Sequence, residues 1–224
     1  DEVSNLGAVK IRLRSLLEAA ERRDNTNKII EPVDEKPVMF TKEMAQDGYT
    51  ILVPQMAPIH FEVLQQGLRT VGLNVEILES TNSKVINEGL KYVNNDACYP
   101  SMFVVGQFID AIKSGKYDTD KVALLMAQTG GACRASNYVG FIRKAMKEAG
   151  FENIPVIGLS FQGIEVHSGI FSGINVVNLL KKAVISLIYG DLIMRLTNAT
   201  RSYEKIKGST DLLKERWIEI SKES

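Results

Sequence analysis

The chain carries two cysteines, and each stands just before a stretch that the sequence predicts to be helical. Cys98 precedes Pro100 by two positions, and Cys133 closely follows the pair Gly130-Gly131. A thiol at a helix N-terminus lies at the positive end of the backbone dipole, which favours its thiolate form. Because the thiolate is the form that binds metal or attacks an electrophile, the placement of both cysteines indicates metal or redox chemistry.

Arg134 follows Cys133 directly. A fixed positive charge lowers the pKa of a neighbouring thiol and can hold an anion, so Arg134 is a candidate part of the same site. Less specific interpretations stay open at this point. Cys98 can be a small buried hydrophobic residue, and Arg134 can be a solvated arginine of a loop.

The two cysteines are too far apart in sequence for a zinc knuckle or a Cys-x-x-Cys redox motif. The glycine pair before Cys133 fits neither the P-loop nor the dinucleotide-binding pattern. In some iron–sulfur proteins, several loops each bring one thiolate to the cluster. Two thiolates on separate loops at one sheet edge match that arrangement. The spacing alone therefore permits an iron–sulfur site.

The composition excludes several classes of function. Among the 224 residues, 27 lysines and arginines balance 27 aspartates and glutamates, so the chain has no global field to attract nucleic acid. No apolar run approaches the roughly 18 residues that suggest a membrane span, and the start has no signal-peptide pattern. We therefore expect a cytoplasmic protein with no nucleic-acid or membrane partner. The chain starts without methionine, and we expect it to be a piece excised from a longer polypeptide.

The hydrophobic pattern predicts three regions. Residues 4–23 place apolar side chains at spacings of three and four and predict an amphipathic helix, and the polar, proline-containing run at 24–37 reads as a linker. Region 38–169 holds four short apolar runs, at 49–54, 74–78, 121–127 and 154–159, that alternate with helical patterns. Region 170–224 is predicted to be a helical segment that packs on or beside the sheet.

Regular alternation of strands and helices predicts parallel pairing through crossover helices, so we expect an α/β fold with an open parallel sheet. Ligands of such sheets bind beyond the carboxyl ends of the strands. The polar residues that follow the predicted strands include Gln55, Cys133 and Ser160. Cys98 reaches the same edge if its helix starts there. Gln55, Cys98, Cys133, Arg134 and Ser160 are therefore the predicted site residues.

Four segments together resemble the 2-hydroxyacyl-CoA dehydratase subunit-like family, and most closely the C-terminal region of the large putative CoA-substrate-specific enzyme activases. They are Val53-Pro54-Gln55-Met56, the Cys98 motif Asn94-Asn95-Asp96-Ala97-Cys98-Tyr99-Pro100, the Cys133 motif Met126-Ala127-Gln128-Thr129-Gly130-Gly131-Ala132-Cys133-Arg134, and Gly158-Leu159-Ser160. The resemblance covers about 49–203 and implies that Cys98 and Cys133 are ligands of a [4Fe-4S] cluster. It also implies anaerobic, low-potential electron transfer or radical dehydration, with an acyl-CoA as a candidate ligand.

The chain departs from that family in two respects. The dehydratase subunits usually bring three cysteines to a cluster, so the rest of the parent polypeptide or a second subunit would have to complete the site. The ATP-binding domain of the activases is not in this sequence, and no ATPase activity is expected. Two alternatives stay open: a non-catalytic α/β module that docks a partner or ligand and has structural cysteines, and a redox-active dithiol.

Overall fold

The computed structural model of the chain describes residues 36–79, 81–94, 97–128, 133–160, 169 and 173–223, together with 13–14, 16–17 and 20–21. The side chains of Ser160, Lys222 and Glu223 are outside this description. The chain divides into two compact units, Asp1–Lys36 and Pro37–Ser224. Each unit is described by itself.

In the first unit, the described residues 13–14, 16–17 and 20–21 are helical, and Leu13, Leu16 and Leu17 are exposed. They fall within the helix predicted at 4–23. Most of that helix, and the predicted linker except its last two residues, lie outside the described residues.

The second unit begins with a short helix and two strand–helix repeats. In chain order the elements are α1 (Lys42–Gln46), β1 (Thr50–Pro54), α2 (Pro58–Arg69), β2 (Val75–Leu78), α3 (Ser83–Tyr92), α4 (Tyr99–Lys113), β3 (Val122–Gln128), a 3-10 helix (Arg134–Asn137), α5 (Tyr138–Glu148), β4 (Val156–Ser160), α6 (Val176–Arg201) and α7 (Ser209–Glu223).

The four strands form one parallel sheet in the order β2-β1-β3-β4. The register pairs Ile51 with both Val75 and Ala123, and Leu124 with Val156. This sheet, its flanking helices and the two C-terminal helices confirm the predicted α/β class.

The sheet is covered on both faces. Alternate residues of each strand enter opposite cores, as the two-residue period of a strand requires. Leu52 and Leu124 pack with α4 and α5 in one core, whereas Ile51 and Val75 pack with Phe61 of α2 in the other. Because both faces are buried, the strands are nearly continuous apolar runs, which is typical of parallel sheets.

Helix α4 is buried on almost its whole circumference, because it lies between the sheet and neighbouring helices. Two glycines allow α3 to approach it closely. A methyl group on Gly89 would clash with the carbonyl of Met102, and one on Gly106 would clash with the carbonyl of Val85. The close α3–α4 contact fixes the position of α4, and therefore of the residues at its N-terminus.

The structure differs from the predictions at several boundaries. Strand β4 starts at Val156 and not at 154, because Pro155 has no N–H to give to the sheet. The helix predicted after Cys133 begins with a 3-10 turn, and its α-helical part starts at Tyr138. The sequence patterns did not predict α1, a five-residue helix that the Thr41 hydroxyl caps by accepting from the Met44 N–H at 3.4 Å.

The C-terminal helices pack against the face of the sheet unit that α2 covers. Small side chains of α6, among them Ser186 and Gly190, lie against α2, and His60 of α2 bonds Asp191 of α6 at 2.9 Å. Within the described part of the chain, no helix is both long and apolar enough to cross a membrane.

Candidate functional site

Cys98 is the N-cap residue of α4 and has an extended backbone with φ −66° and ψ 144°. Helix α4 belongs to the crossover between β2 and β3, and its C-terminus leads into the start of β3. Its N-terminus therefore lies at the opposite, carboxyl edge of the parallel sheet. The 15 residues of α4 direct the positive end of the helix dipole at this position. Cys98 is partly buried, in contact with the core that α4 and α5 share.

The Cys98 sulfur lies 2.9 Å from the hydroxyl oxygen of Tyr138. Tyr138 is the first residue of α5, and its ring is buried. Helix α5 follows β3, so its N-terminus points to the same edge of the sheet as that of α4. The sequence placed Cys98 at this edge only if α4 starts there. In the structure α4 does start at this edge.

The hydrogen bond from the Tyr138 hydroxyl is the largest influence on the pKa of the Cys98 thiol, and it lowers that pKa. Burial opposes the shift, while the N–H and hydroxyl of Ser101 and the charge of Arg134 add to it. The net effect is a lowered pKa, so Cys98 ionises more readily than an ordinary cysteine. Conversely, burial first and the bond to Cys98 second raise the pKa of Tyr138, so its hydroxyl stays protonated and donates a hydrogen bond to the Cys98 sulfur when that sulfur is a thiolate.

Cys133 caps the 3-10 helix that precedes α5 and is exposed. Its sulfur accepts from the backbone N–H of Ala135 at 3.5 Å. The charge of the Cys133 thiolate also contributes to the raised pKa of Tyr138. Cys133 therefore begins the 3-10 helix that leads into Tyr138, and the Tyr138 hydroxyl contacts the Cys98 sulfur.

Arg134 is the first residue of the 3-10 helix, and its positive charge lowers the pKa of Cys98. A guanidinium group remains charged at any physiological pH. The cation that the sequence suggested for Cys133, its direct neighbour, thus acts on the Cys98 thiol.

Gln55 follows β1 at the same edge, and its hydrogen bonds join it to α4 and to its own turn. Its N–H donates to the side-chain oxygen of the fully buried Gln107 at 3.1 Å, and its own side-chain oxygen accepts from the Ala57 N–H at 3.2 Å. Gln55 therefore orders the turn from β1 into α2. A direct role beside the cysteines stays a prediction.

Ser160 ends β4 and is paired in the sheet with Gln128, the last residue of β3. The side chain of Gln128 donates to the carbonyl of Ser136 in the 3-10 helix at 3.3 Å. The backbone of Ser160 thus lies beside a residue that holds the Cys133 loop. Contacts of the Ser160 side chain are outside the described part of the structure.

The strand order locates the crevice that an open parallel sheet offers to ligands. The chain moves outwards from β1 to β2 and then returns to the other side of β1 to form β3. The connections after β1 and β3 therefore diverge, and the crevice lies between their carboxyl ends. Gln55 follows one of these strands, and Cys133 and Arg134 follow the other.

Sequence reasoning missed two members of this region. Tyr138 stands a little more than one helical turn after Cys133. A tyrosine hydroxyl at a helix start near a cysteine was the sequence signal that could have identified it. Gln107 interrupts the apolar run of α4, and a polar residue inside such a run needs a buried partner. That partner is the backbone N–H of Gln55.

A second depression, of about 400 Å³, lies along β2 and includes neither cysteine in its lining. Two of its charged side chains, Lys116 and Glu76, pair with one another, and the Tyr117 hydroxyl donates to Glu76 at 2.6 Å. The lining also includes Arg69, Glu79 and Asp110, and the Asp110 carboxylate pairs with Lys84 at 2.7 Å.

Comparison of the chain with known protein families, with curated proteins and with solved structures finds no match. The candidate site is therefore judged by its geometry. Among the residues that the structure describes, no three histidine, cysteine, aspartate or glutamate side chains form a group that could hold a metal ion. The described part of the site contributes two thiols, one hydroxyl and one guanidinium group.

Proposed function

We propose that Cys98 and Cys133 bind an iron–sulfur cluster of the [4Fe-4S] type at the carboxyl edge of the sheet. The observation that carries this proposal is that the Cys98 sulfur lies 2.9 Å from the hydroxyl of Tyr138, and that Cys133 begins the 3-10 helix that leads directly into Tyr138. Thiolates are the usual protein ligands of such clusters. The lowered pKa of Cys98 and the exposure of Cys133 both favour metal binding.

The described residues fit such a cluster in part. Two thiols supply half of a four-thiolate ligand set, and the remaining ligands come from outside the described residues, in the parent polypeptide or in a second subunit. Tyr138 would donate a hydrogen bond to the Cys98 sulfur, and Arg134 would offset negative charge. These are the interactions through which a protein tunes the reduction potential of bound iron.

When bound, the cluster would supply one-electron chemistry at low potential. The protein would hold it at the sheet edge and order the loop after β1 through Gln107 and Gln55. Together with the resemblance of the cysteine motifs, this supports a component of an anaerobic, cytoplasmic system that acts on 2-hydroxyacyl-CoA-type substrates. An acyl-CoA is then the candidate ligand of the crevice between β1 and β3, and no ATPase activity is assigned to this chain.

Anaerobic reconstitution with iron and sulfide tests this proposal. We expect bound iron, and a broad visible absorption that bleaches on reduction, for the natural sequence. We expect neither for Cys98→Ser or Cys133→Ser. Ser221→Ala, on the far helix α7, is a control that should bind as the natural sequence does. Equal iron in the natural protein and in a Cys98→Ser, Cys133→Ser double variant would refute cluster binding at these residues.

The exposed apolar side chains of α6 favour a second candidate function, a module that docks the rest of the parent polypeptide or a second subunit. Val177, Leu180, Val184 and Ile188 recur at helical spacing, and each is more than half exposed. A continuous apolar face of this kind is typical of an interaction surface. In this alternative the cysteines are structural, so replacing both with serine should leave partner binding unchanged.

A further inference from the structure

The outer face of α6 carries a ridge of aliphatic side chains over its first half. The members of this ridge are Val177, Leu180, Val184 and Ile188. Each of them is more than half exposed, because it is the opposite face of α6, with Ser186 and Gly190, that packs on α2. A row of exposed apolar side chains at helical spacing is typical of a surface that another molecule covers.

A groove of about 260 Å³ lies between α6 and α7. Its lining is mainly apolar and includes Leu192, Leu196, Leu213 and Trp217, each of which is about half exposed. Leu192 stands one helical turn after Ile188, so the groove begins where the ridge ends on the same helix. The ridge and the groove therefore form one continuous apolar surface.

This surface is complementary in shape to itself. In a twofold pair, the same surface of two copies meets, so every contact from a residue i to a residue j is matched by one from j to i. A surface that carries a ridge beside a groove satisfies this condition, because the ridge of each copy enters the groove of the other. Packing of ridges into grooves is also the general way in which helices pack.

The charges near the ridge do not oppose pairing of two copies. Lys182 is turned towards α2, where its ammonium group donates to the Thr70 hydroxyl at 2.7 Å. Lys181 flanks the ridge and is exposed, and its long side chain keeps the ammonium group in water. Further along α6, Asp191 and Arg195 carry charges of opposite sign. The centre of the contact is therefore uncharged.

The area of this surface is close to what a dimer needs. Standard interfaces bury about 800 Å² on each partner. Helix α6 has 26 residues and α7 has 15, so their lengths are about 39 and 23 Å. Two adjacent helices, each about 10 Å wide, present roughly 600 Å² before the relief of the side chains increases the accessible area. This size is appropriate to a reversible dimer.

We propose that two copies of this chain pair about a twofold axis, with the α6 ridge of each copy in the α6–α7 groove of the other. This inference rests on the second candidate function, the docking module, and names its partner as a second copy of the chain. It does not depend on a cluster, because no residue of the ridge or the groove is a proposed cluster ligand.

The test is light scattering of the full chain at increasing concentration in reducing, metal-free buffer. The chain has one tryptophan, Trp217, and it lines the groove, so its fluorescence reports on the proposed contact. We expect the mass to rise from one chain to two, and the emission to shift to shorter wavelength over the same range, because the ridge excludes water from the indole ring. A monomer at every concentration, or a dimer without the shift, would overturn the proposal.

Two matched variants locate the contact. Ile188→Glu places a charge on the ridge, and we expect it to weaken the dimer about tenfold or more and to abolish the emission shift. Leu90→Glu makes the same kind of change at an exposed leucine of α3, which packs on α4 and not on α2, and should change neither. Equal dimerisation of the two variants would overturn this surface.

A cysteine variant distinguishes failure of the partner from failure of the docking function. Cys98→Ser with Cys133→Ser should form the dimer as the natural sequence does, because neither thiol belongs to the ridge or the groove. Loss of the dimer in this variant would overturn the docking function itself. A natural chain that stays monomeric would overturn only the second copy as its partner.

Discussion

At the scale of single residues, the candidate site depends on the contact between Cys98 and Tyr138. The tyrosine ring is buried and its hydroxyl reaches the sulfur at 2.9 Å, so the thiolate has a donor that the protein holds in place. A fixed donor stabilises negative charge on sulfur better than water does, because the donor needs no reorientation. This contact distinguishes Cys98 from an ordinary buried cysteine.

Removing the hydroxyl should make Cys98 a weaker acid. In metal-free protein with Cys133→Ser as background, Tyr138→Phe should raise the pKa of Cys98, because the largest influence that lowers it is lost. At pH values below the thiol pKa, the thiolate fraction and the rate of alkylation should then fall. The measurement is the pH dependence of alkylation. Tyr99→Phe, an exposed neighbour, is the control, and an unchanged pKa in Tyr138→Phe would contradict the assignment.

Gln107 offers a second test at this scale. It is fully buried and accepts from the Gln55 N–H, so Gln107→Leu leaves that backbone group without this acceptor. We expect the free energy of unfolding to fall by about 1–3 kcal/mol, measured by urea denaturation. Gln46→Leu, at the exposed end of α1, should change it little. A neutral Gln107→Leu would show that the bond does not order the turn.

At the scale of elements, two helix starts converge because their helices are fixed independently. The close glycine contacts hold α4 against α3, and the hydrogen bond from Gln128 to Ser136 holds the 3-10 turn against the end of β3. The positions of Cys98 and Cys133 are therefore consequences of packing that occurs elsewhere in each element.

Gly106→Ala should disturb this arrangement. The added methyl group meets the backbone of α3, which cannot move aside as a side chain can, so the two helices must separate. We expect a loss of about 1–3 kcal/mol in the free energy of unfolding, measured by urea denaturation. Gly67→Ala is the control, because the closest atom to its methyl group is the Ser186 side-chain oxygen, at 3.0 Å. Equal stability of both variants would contradict close α3–α4 packing.

Glu204 gives a pH-dependent test of α7. Its carboxylate accepts from the N–H groups of Gly208 at 2.8 Å and Thr210 at 3.1 Å, and these bonds lower its pKa below 4.5. A lowered pKa in the folded state contributes stability above the unfolded pKa, and that stability is lost as the pH falls through the folded pKa. Glu204→Gln should therefore lower the thermal midpoint at neutral pH.

The difference between Glu204→Gln and the natural sequence should shrink in acid, where both side chains are uncharged. Glu215→Gln, an exposed position on α7, should show no such pH dependence. A constant difference at all pH values would mean that Glu204 does not act through its charge.

At the scale of the whole molecule, a neutral chain exposes a large apolar area. Its sequence pI is about 7.0, so the repulsion that keeps proteins apart is weakest near neutral pH. The outer face of α6 adds side chains such as Leu180 and Ile188, which are 56% and 64% exposed. Both properties favour association of the second unit with other molecules.

Replacing part of that face should reduce non-specific association. Leu180→Glu with Ile188→Glu should raise solubility near pH 7 and reduce binding of a hydrophobic dye, with little change in the unfolding midpoint. The measurements are the solubility limit and dye fluorescence. Asn178→Glu with Asn198→Glu adds the same charge on α6 at exposed polar positions and should leave dye binding unchanged. Equal dye binding by the two double variants would contradict the role of the apolar face.

The sequence by itself determined the class of fold and the cysteine-bearing loops. Continuous apolar strands that alternate with amphipathic helices require a parallel sheet covered by helices on both faces. Only this arrangement buries both faces of each strand and the apolar face of each helix. Local chemistry also predicted the helix start after Cys98, since the proline at position 100 is accommodated where no N–H bond is needed.

Only the tertiary structure decided which of these loops meet. The strand order, the contact of Cys98 with Tyr138 and the bond from Gln55 to Gln107 join residues distant in sequence, and no local pattern encodes such pairs. They result from the simultaneous packing of α4 and α5 on one face of the sheet. The physical reason is that a local period fixes which side of an element is buried, whereas the partner on that side is set by the packing of the whole core.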